Sequence, residues 1–383
     1  MKTALIPSQP DHTPDAGLQE RAAAVPAESV NLDPAAARPR PHELRHPKKL
    51  VHRRDRDHSQ QLRFGLQTVF LLLNVYIGVQ FYLFVRYFES GGGTMRVPRP
   101  AGVDGWLPIG GLMSLKYAIA TWSFPHVHPS AMFLLIAFLL MSLLFRKAFC
   151  GWLCPVGTLS EGLWKLGRRL FRMNWRLPVW ADLPLRGLKY VLLGLFLYAV
   201  GSMPVTAIRG FLESPYFLVA DVKMLNFFRY LGTSGAITVA ILTVLSVLTK
   251  NFWCRYLCPY GALMGVASWL SPARIRRDPE KCIDCAKCRR ACPALLPVDT
   301  LISVRSAECT ACMECVASCP AQGALTLSMP RRRVLPAWGL AAGVAAVFLV
   351  VVIAAKLAGA WETGMPDEVY FQLIPRVMEF VHP

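Results

Sequence analysis

Twelve cysteines carry the chemistry open to this chain, and none stands alone. Eight form two runs, Cys282, Cys285, Cys288, Cys292 and Cys309, Cys312, Cys315, Cys319, each followed by proline. Both read C-x2-C-x2-C-x3-C-P. That spacing lets a short loop wrap three thiolates around one [4Fe-4S] cube, while the fourth cysteine, on a segment turned away at the proline, reaches the neighbouring cube. The expected ligand sets are therefore Cys282, Cys285 and Cys288 with Cys319, and Cys309, Cys312 and Cys315 with Cys292. Zinc sites usually gather their four ligands as separated pairs, and two complete runs in tandem do not fit that pattern. The chemistry implied is one-electron transfer.

The other four cysteines sit in "FCGWLCPVGTL", with Cys150 and Cys154, and "WCRYLCPYGAL", with Cys254 and Cys258. Each pair is spaced i, i+4, so in a helix both sulfurs share a face. Proline after the second cysteine predicts a helix beginning there, with the thiol at its N-terminus. Such a position acidifies a thiol, and Arg146, Lys147, Lys250 and Arg255 push the same way. Three readings stay open. The four thiols converge on one metal centre, iron–sulfur or copper(I). Each pair cycles between dithiol and disulfide, which needs some bending of a strict helix. Or all four are small buried hydrophobes.

The elements that must position these residues are greasy. The 383 residues are 54% hydrophobic and 17% charged, which points to a membrane protein. Five spans are expected, near Phe64–Phe88, Pro129–Arg146, Gly187–Met203, Ser234–Lys250 and Leu335–Leu357. The apolar stretch 107–124, broken by glycines, reads as re-entrant or interfacial. The formal charge of +18 concentrates in residues 146–189 and 250–333 and before the first span, so it marks cytoplasmic flanks and not nucleic-acid binding. The N-terminus, both CxxxCP motifs and the eight-cysteine segment are then expected in the cytoplasm, and the C-terminus in the periplasm. Cys150 and Cys254, and likewise Cys154 and Cys258, are 104 residues apart, so the core looks duplicated. Duplicated membrane halves often share a site between them.

At these motifs the chain resembles the NapH/NosR/CcoG group of membrane iron–sulfur proteins, most of all its compact YccM-type "4Fe-4S binding" members. The likeness covers roughly residues 62–330. It implies an α-helical polytopic membrane protein of about five spans in duplicated two-helix halves, with a small α+β two-cluster ferredoxin-like segment. The expected organisation is a disordered basic tail over 1–61, a membrane core over 62–277, the ferredoxin-like domain over 278–330, and the fifth span with a periplasmic tail over 331–383. The resemblance implies two [4Fe-4S] clusters, a location in a bacterial inner membrane, and electron transfer between the quinone pool and a redox partner protein, as carrier or oxidoreductase subunit. No flavin-binding domain of the NosR branch and no β-sandwich of the CcoG branch is expected here. A copper-handling assembly factor and a redox sensor are the rival readings. For a quinol, His126 and His128 in "WSFPHVHPS" offer a proton acceptor or a metal-binding pair, although a solvated loop is the plainer reading. Glu213 and Asp221 are weaker candidates of the same kind.

Overall fold

A computed structural model describes residues 51–53, 57–172 and 174–382. The expectation of a disordered tail falls largely on residues 1–50, outside the described residues. Of its far end, Val51–Arg53 pairs with the segment after Cys319: His52 bridges Ala321, Arg53 N–H donates to the Pro320 carbonyl at 3.0 Å, and Gln322 N–H to that of Val51 at 3.0 Å.

The apolar runs form helices. Three are long and apolar enough to cross a bilayer: α1 (Ser59–Glu89), α6 (Val179–Ser202) and α14 (Ala337–Leu357). Two expected spans are shorter. Helix α3 (Pro129–Phe145) has 17 residues, and α10 (Thr233–Leu248) has 16. At 1.5 Å per residue they reach about 25 Å, some 5 Å short of a roughly 30 Å hydrocarbon core. The reason is local. These two helices feed the CxxxCP motifs, and the chain leaves the helical conformation at Arg146 (φ 61°) and Thr249 (φ −121°) to enter them. Helix α10 follows α9 (Ala220–Arg229) across an 81° bend, and only the pair together has the length of a span.

The stretch 107–124 becomes α2 (Pro108–Thr121), packed on α3 so closely that a Cβ at Gly111 would lie 2.7 Å from the Ala131 carbonyl oxygen. Before α9 run two short helices, α7 (Val205–Leu212) and α8 (Pro215–Leu218). Each CxxxCP motif opens a helix at its proline: α5 (Pro155–Phe171) and α11 (Pro259–Ala267). A five-residue turn of helix, α4 (Ala148–Trp152), precedes α5. Helices α5 and α10 cross at Gly167, where any Cβ would collide with the Val247 carbonyl.

The ferredoxin-like segment is small. Strand β1 (Arg274–Arg277) pairs antiparallel with β2 (Leu325–Ser328), Arg274 opposite Ser328. Between them each cysteine run forms a loop and one short helix, α12 (Lys287–Ala291) and α13 (Glu314–Ala317). One hydrophobic core runs from α3 (Leu135, Phe138, Met141) through Phe149 and Trp152 into Ile275, Val304 and Leu327 of this segment. Phe138 stacks on Phe149 at 3.7 Å between ring centres, which ties α3 to the motif it feeds. A last helix, α15 (Asp367–Leu373), packs Tyr370 against Phe84 and Phe88 near the far end of α1.

Candidate metal centres

The eight cysteines of the tandem runs line two separate cavities. One is bounded by Cys292, Cys309, Cys312 and Cys315 among Ile275, Val298 and Val304. The other is bounded by Cys282, Cys285, Cys288 and Cys319 beside Arg277 and Asp299. Each cavity draws three cysteines from one run and the fourth from the other. The loops share an unusual backbone. The residues just before and just after the second cysteine are left-handed in both: Asp284 (φ 55°) and Ala286 (φ 53°), Ala311 (φ 50°) and Met313 (φ 58°). Left-handed conformation costs a non-glycine residue roughly 1–2 kcal/mol. Its recurrence at matched positions curls each loop on itself, as backbone nests that face iron–sulfur clusters do.

The two cavities differ in exposure. Cys292, Cys309, Cys312 and Cys315 are buried, whereas the other set is half-buried. Burial pushes the Cys312 thiol up to about 12 and Cys288 up to about 11. Thiolates in these places call for a cationic partner, which iron supplies. The residues present therefore fit iron–sulfur clusters.

The CxxxCP cysteines meet at the ends of α3 and α10. Cys154 and Cys258 are the N-caps of α5 and α11, and Gly261 N–H donates to Cys258 Sγ at 3.2 Å. Each motif contains the same widened turn, Cys154 N–H to the Phe149 carbonyl (2.9 Å) and Cys258 N–H to that of Trp253 (3.0 Å). Such single π-turns recur at functional sites. The pairs are thus not i, i+4 on an unbroken α-helix. Cys154 lies within electrostatic reach of Cys150, Cys254 and Cys258, so the two halves do bring their thiols together. Among the described residues no three cysteine sulfurs lie all within 4.8 Å of one another.

Burial opposes the expected acidification at Cys150, Cys154 and Cys254. Burial pushes Cys150 up to about 11 and Cys254 up to about 12, more than the helix N-termini and cations recover. Of the four basic neighbours only Lys147 reaches the thiols. Although burial works against its charge, Glu308 and the thiols hold it above its ordinary range. Arg146 turns to the Ser306 carbonyl, Lys250 to that of Arg290 at 3.1 Å, and Arg255 to Asp182.

The CxxxCP motifs and the inner cavity are in direct contact. A Cβ on Gly151, between Cys150 and Cys154, would lie 2.6 Å from the carbonyl oxygen of Thr310, between Cys309 and Cys312. Trp152 Nε1 donates to the Ala311 carbonyl at 3.0 Å. Glu308, next to Cys309, accepts from Lys189 at 2.6 Å and from Tyr190 at 3.0 Å, with Lys147 at 3.9 Å. Arg63 on α1 bonds both oxygens of Glu161 at 2.7 Å and reaches Glu314 of α13 at 2.9 Å. None of these clamps was foreseen. Glu308 alone carried a signal, as an acid directly beside a ligand-type cysteine.

The quinol candidates separate. His128 is fully buried, not in a solvated loop, and bonds Asp104 through Nδ1 at 2.9 Å and the Phe217 carbonyl through Nε2 at 3.1 Å. Asp221 joins it through Arg99, which donates to Asp221 at 2.7 Å and to Asp104. Asp104, His128 and Asp221 have ligand atoms close enough for a cation, but the Arg99 guanidinium occupies that charge position. His126 is exposed, and Glu213 makes an exposed ion pair with Arg209.

Comparison with known proteins agrees with this geometry. A family model described as a 4Fe-4S binding domain matches twice, at residues 127–174 and 231–278, and so repeats the 104-residue offset of the cysteines. A 4Fe-4S dicluster domain model matches 274–322. YccM of Escherichia coli (strain K12), provisionally named an electron transport protein, is 49% identical over 84% of this chain and 91% of its own. The ferredoxin-type protein NapH of Haemophilus influenzae is 28% identical over 48% of this chain and 63% of its own. The regulatory protein NosR of Pseudomonas aeruginosa is 32% identical over 48% of this chain and 25% of its own. No solved structure matches. With spans, duplicated motifs and cluster loops in hand, the chain belongs to the NapH/NosR-like family of membrane iron–sulfur electron-transfer proteins, on the side of YccM.

Proposed function

We propose that this protein carries electrons from the quinol pool of a bacterial inner membrane to a redox partner on the cytoplasmic side, with three metal centres in file. Cys282, Cys285, Cys288 and Cys319 would hold an outer [4Fe-4S] cluster, and Cys309, Cys312, Cys315 and Cys292 an inner one. Cys150, Cys154, Cys254 and Cys258 would hold a further iron–sulfur centre at the membrane boundary. The bound clusters supply one-electron transfer. The chain fixes their order and surroundings. The half-buried outer cysteines are where a soluble partner can approach, and the buried inner set faces the membrane thiols.

One observation carries the reading: the contact of Gly151 and Trp152 with the Thr310–Ala311 backbone, which sets the CxxxCP motif directly on the inner cysteine loop. Lys147 and Lys189 offset the negative charge that thiolate-bound clusters bring to this junction. The position of the basic loops supports a cytoplasmic ferredoxin-like segment and a periplasmic C-terminus.

The test is anaerobic mixing of the purified protein with a reduced quinol analogue. Bleaching of the iron–sulfur absorption is expected, and its loss in Cys154→Ser while the ferredoxin-type clusters still assemble. Unchanged reduction in that variant would remove the CxxxCP thiols from the path. One copper ion per chain bound by those thiols would support an assembly factor instead.

A further inference from the structure

Away from the cysteines, a polar cavity lies where the first turns of α6 meet the second CxxxCP motif and the ferredoxin-like segment. Its lining is Arg176, Leu177, Asp182, Arg186, Arg255, Arg289 and Leu295. Four guanidinium groups face one carboxylate there. Asp182 accepts from Arg255 at 2.9 and 3.0 Å and also pairs with Arg186. Arg289 stands 3.8 Å from Asp299, so two positive charges remain in excess even when both acids are counted. The cations are also under-used. Arg255, only 6% exposed, leaves Nη1 without a hydrogen-bond partner, and buried Nε of Arg186 has none. A buried guanidinium nitrogen without an acceptor is costly, and a charged one more so.

We propose that this cavity binds the phosphate of an anionic phospholipid headgroup. Arginine forks match phosphate oxygens in pairs, and basic pockets at the cytoplasmic ends of spans suit acidic headgroups. The alternative source of the same chemistry is a soluble phosphate compound. The surroundings favour lipid. Just beside the arginines, Trp175, Val179, Trp180 and Leu183 are all exposed, Trp180 at 80% and Val179 at 77%. Tryptophan flanked by aliphatic side chains at the start of a span is what a headgroup layer above acyl chains selects. The occupant would touch Arg255, inside the Cys254–Cys258 motif, and Arg289, beside Cys288. A bound lipid would therefore link the second CxxxCP motif of the membrane core to the ferredoxin-like segment.

The experiment uses the full-length protein in neutral detergent. Native mass spectrometry should show one retained phosphatidylglycerol or cardiolipin per chain. Adding phosphatidylglycerol should raise Tm by several degrees, whereas phosphatidylcholine should leave it unchanged. Both effects should vanish in Arg176→Gln/Arg289→Gln, and retention should fall severalfold in Arg176→Gln alone, which changes an exposed side chain and keeps the iron content. Equal stabilisation by both lipids, or undiminished retention in the variants, would overturn the site. Stabilisation by inorganic pyrophosphate with no retained lipid would overturn the lipid source.

Discussion

Replacing Gly151 with alanine probes the junction between the CxxxCP motif and the inner cysteine loop. The new Cβ would stand 2.6 Å from the Thr310 carbonyl oxygen, 3.1 Å from its Cβ and 3.2 Å from its Oγ1. Ordinary contact begins near 3.4 Å, so the Thr310 backbone must retreat by about 0.8 Å. It cannot do so freely. Trp152 holds the neighbouring Ala311 carbonyl, and Trp152 itself is fully buried. Overpacking of this kind costs roughly 1–3 kcal/mol. The control is Gly162→Ala on the exposed side of α5, where a Cβ meets nothing within 4 Å. That change should be neutral or stabilise by up to about 1 kcal/mol through helix propensity. Thermal unfolding and quinol-driven cluster reduction, measured for both variants, give the answer. Gly151→Ala should unfold several degrees lower and reduce its clusters more slowly, while Gly162→Ala matches the parent in rate. Equal behaviour of the two would refute the direct contact.

Arg63→Met should be destabilising by about 1–3 kcal/mol, because it leaves the half-buried Glu161 and Glu314 with Lys165 as their remaining cation; protease nicking of the ferredoxin-like segment would show the loosening, and a parent-like digestion pattern would contradict it. Cys288→Ser should remove the EPR signal of the outer cluster and leave that of the inner one, and retention of both would refute the ligand set. On the opposite side of the membrane core, burial opposes the charge on His128, but Asp104 and Asp221 outweigh it and Arg99, so its pKa lies above the ordinary 6.5. The stability this provides is complete below that value and is lost as pH rises through the raised one. Tm should therefore fall between neutral and alkaline pH in the parent and fall less in His128→Gln; parallel pH profiles would sink the assignment.

How legible this was depended on the range of the interactions. The grouping of the eight cysteines followed from spacing alone, because a cluster loop is local and its proline marks where the chain diverges. The helix starts at Pro155 and Pro259 were equally local. The duplication was visible in the cysteine numbering and returns in the structure as matched π-turns. What the sequence hid was long-range. The clamp of Arg63 on Glu161 and Glu314 joins residues 98 and 251 positions away, and no periodicity announces such a pairing. Acidified thiols were expected from helix ends and nearby cations, but chain neighbours such as Arg146 and Arg255 turned to other partners. His128 looked solvated because its flanking prolines suggest a loop. The fold buries it by bringing Asp104 and Asp221 alongside, from 24 and 93 residues away.

The most direct measurement is iron per chain in anaerobically purified protein, with EPR, for the parent beside the Cys150/Cys154/Cys254/Cys258→Ser variant. Two ferredoxin-type clusters account for about eight irons. A relay with an iron–sulfur centre at the CxxxCP thiols predicts clearly more than eight in the parent and eight in the variant, with one signal lost. Eight in both, with identical spectra, would contradict it.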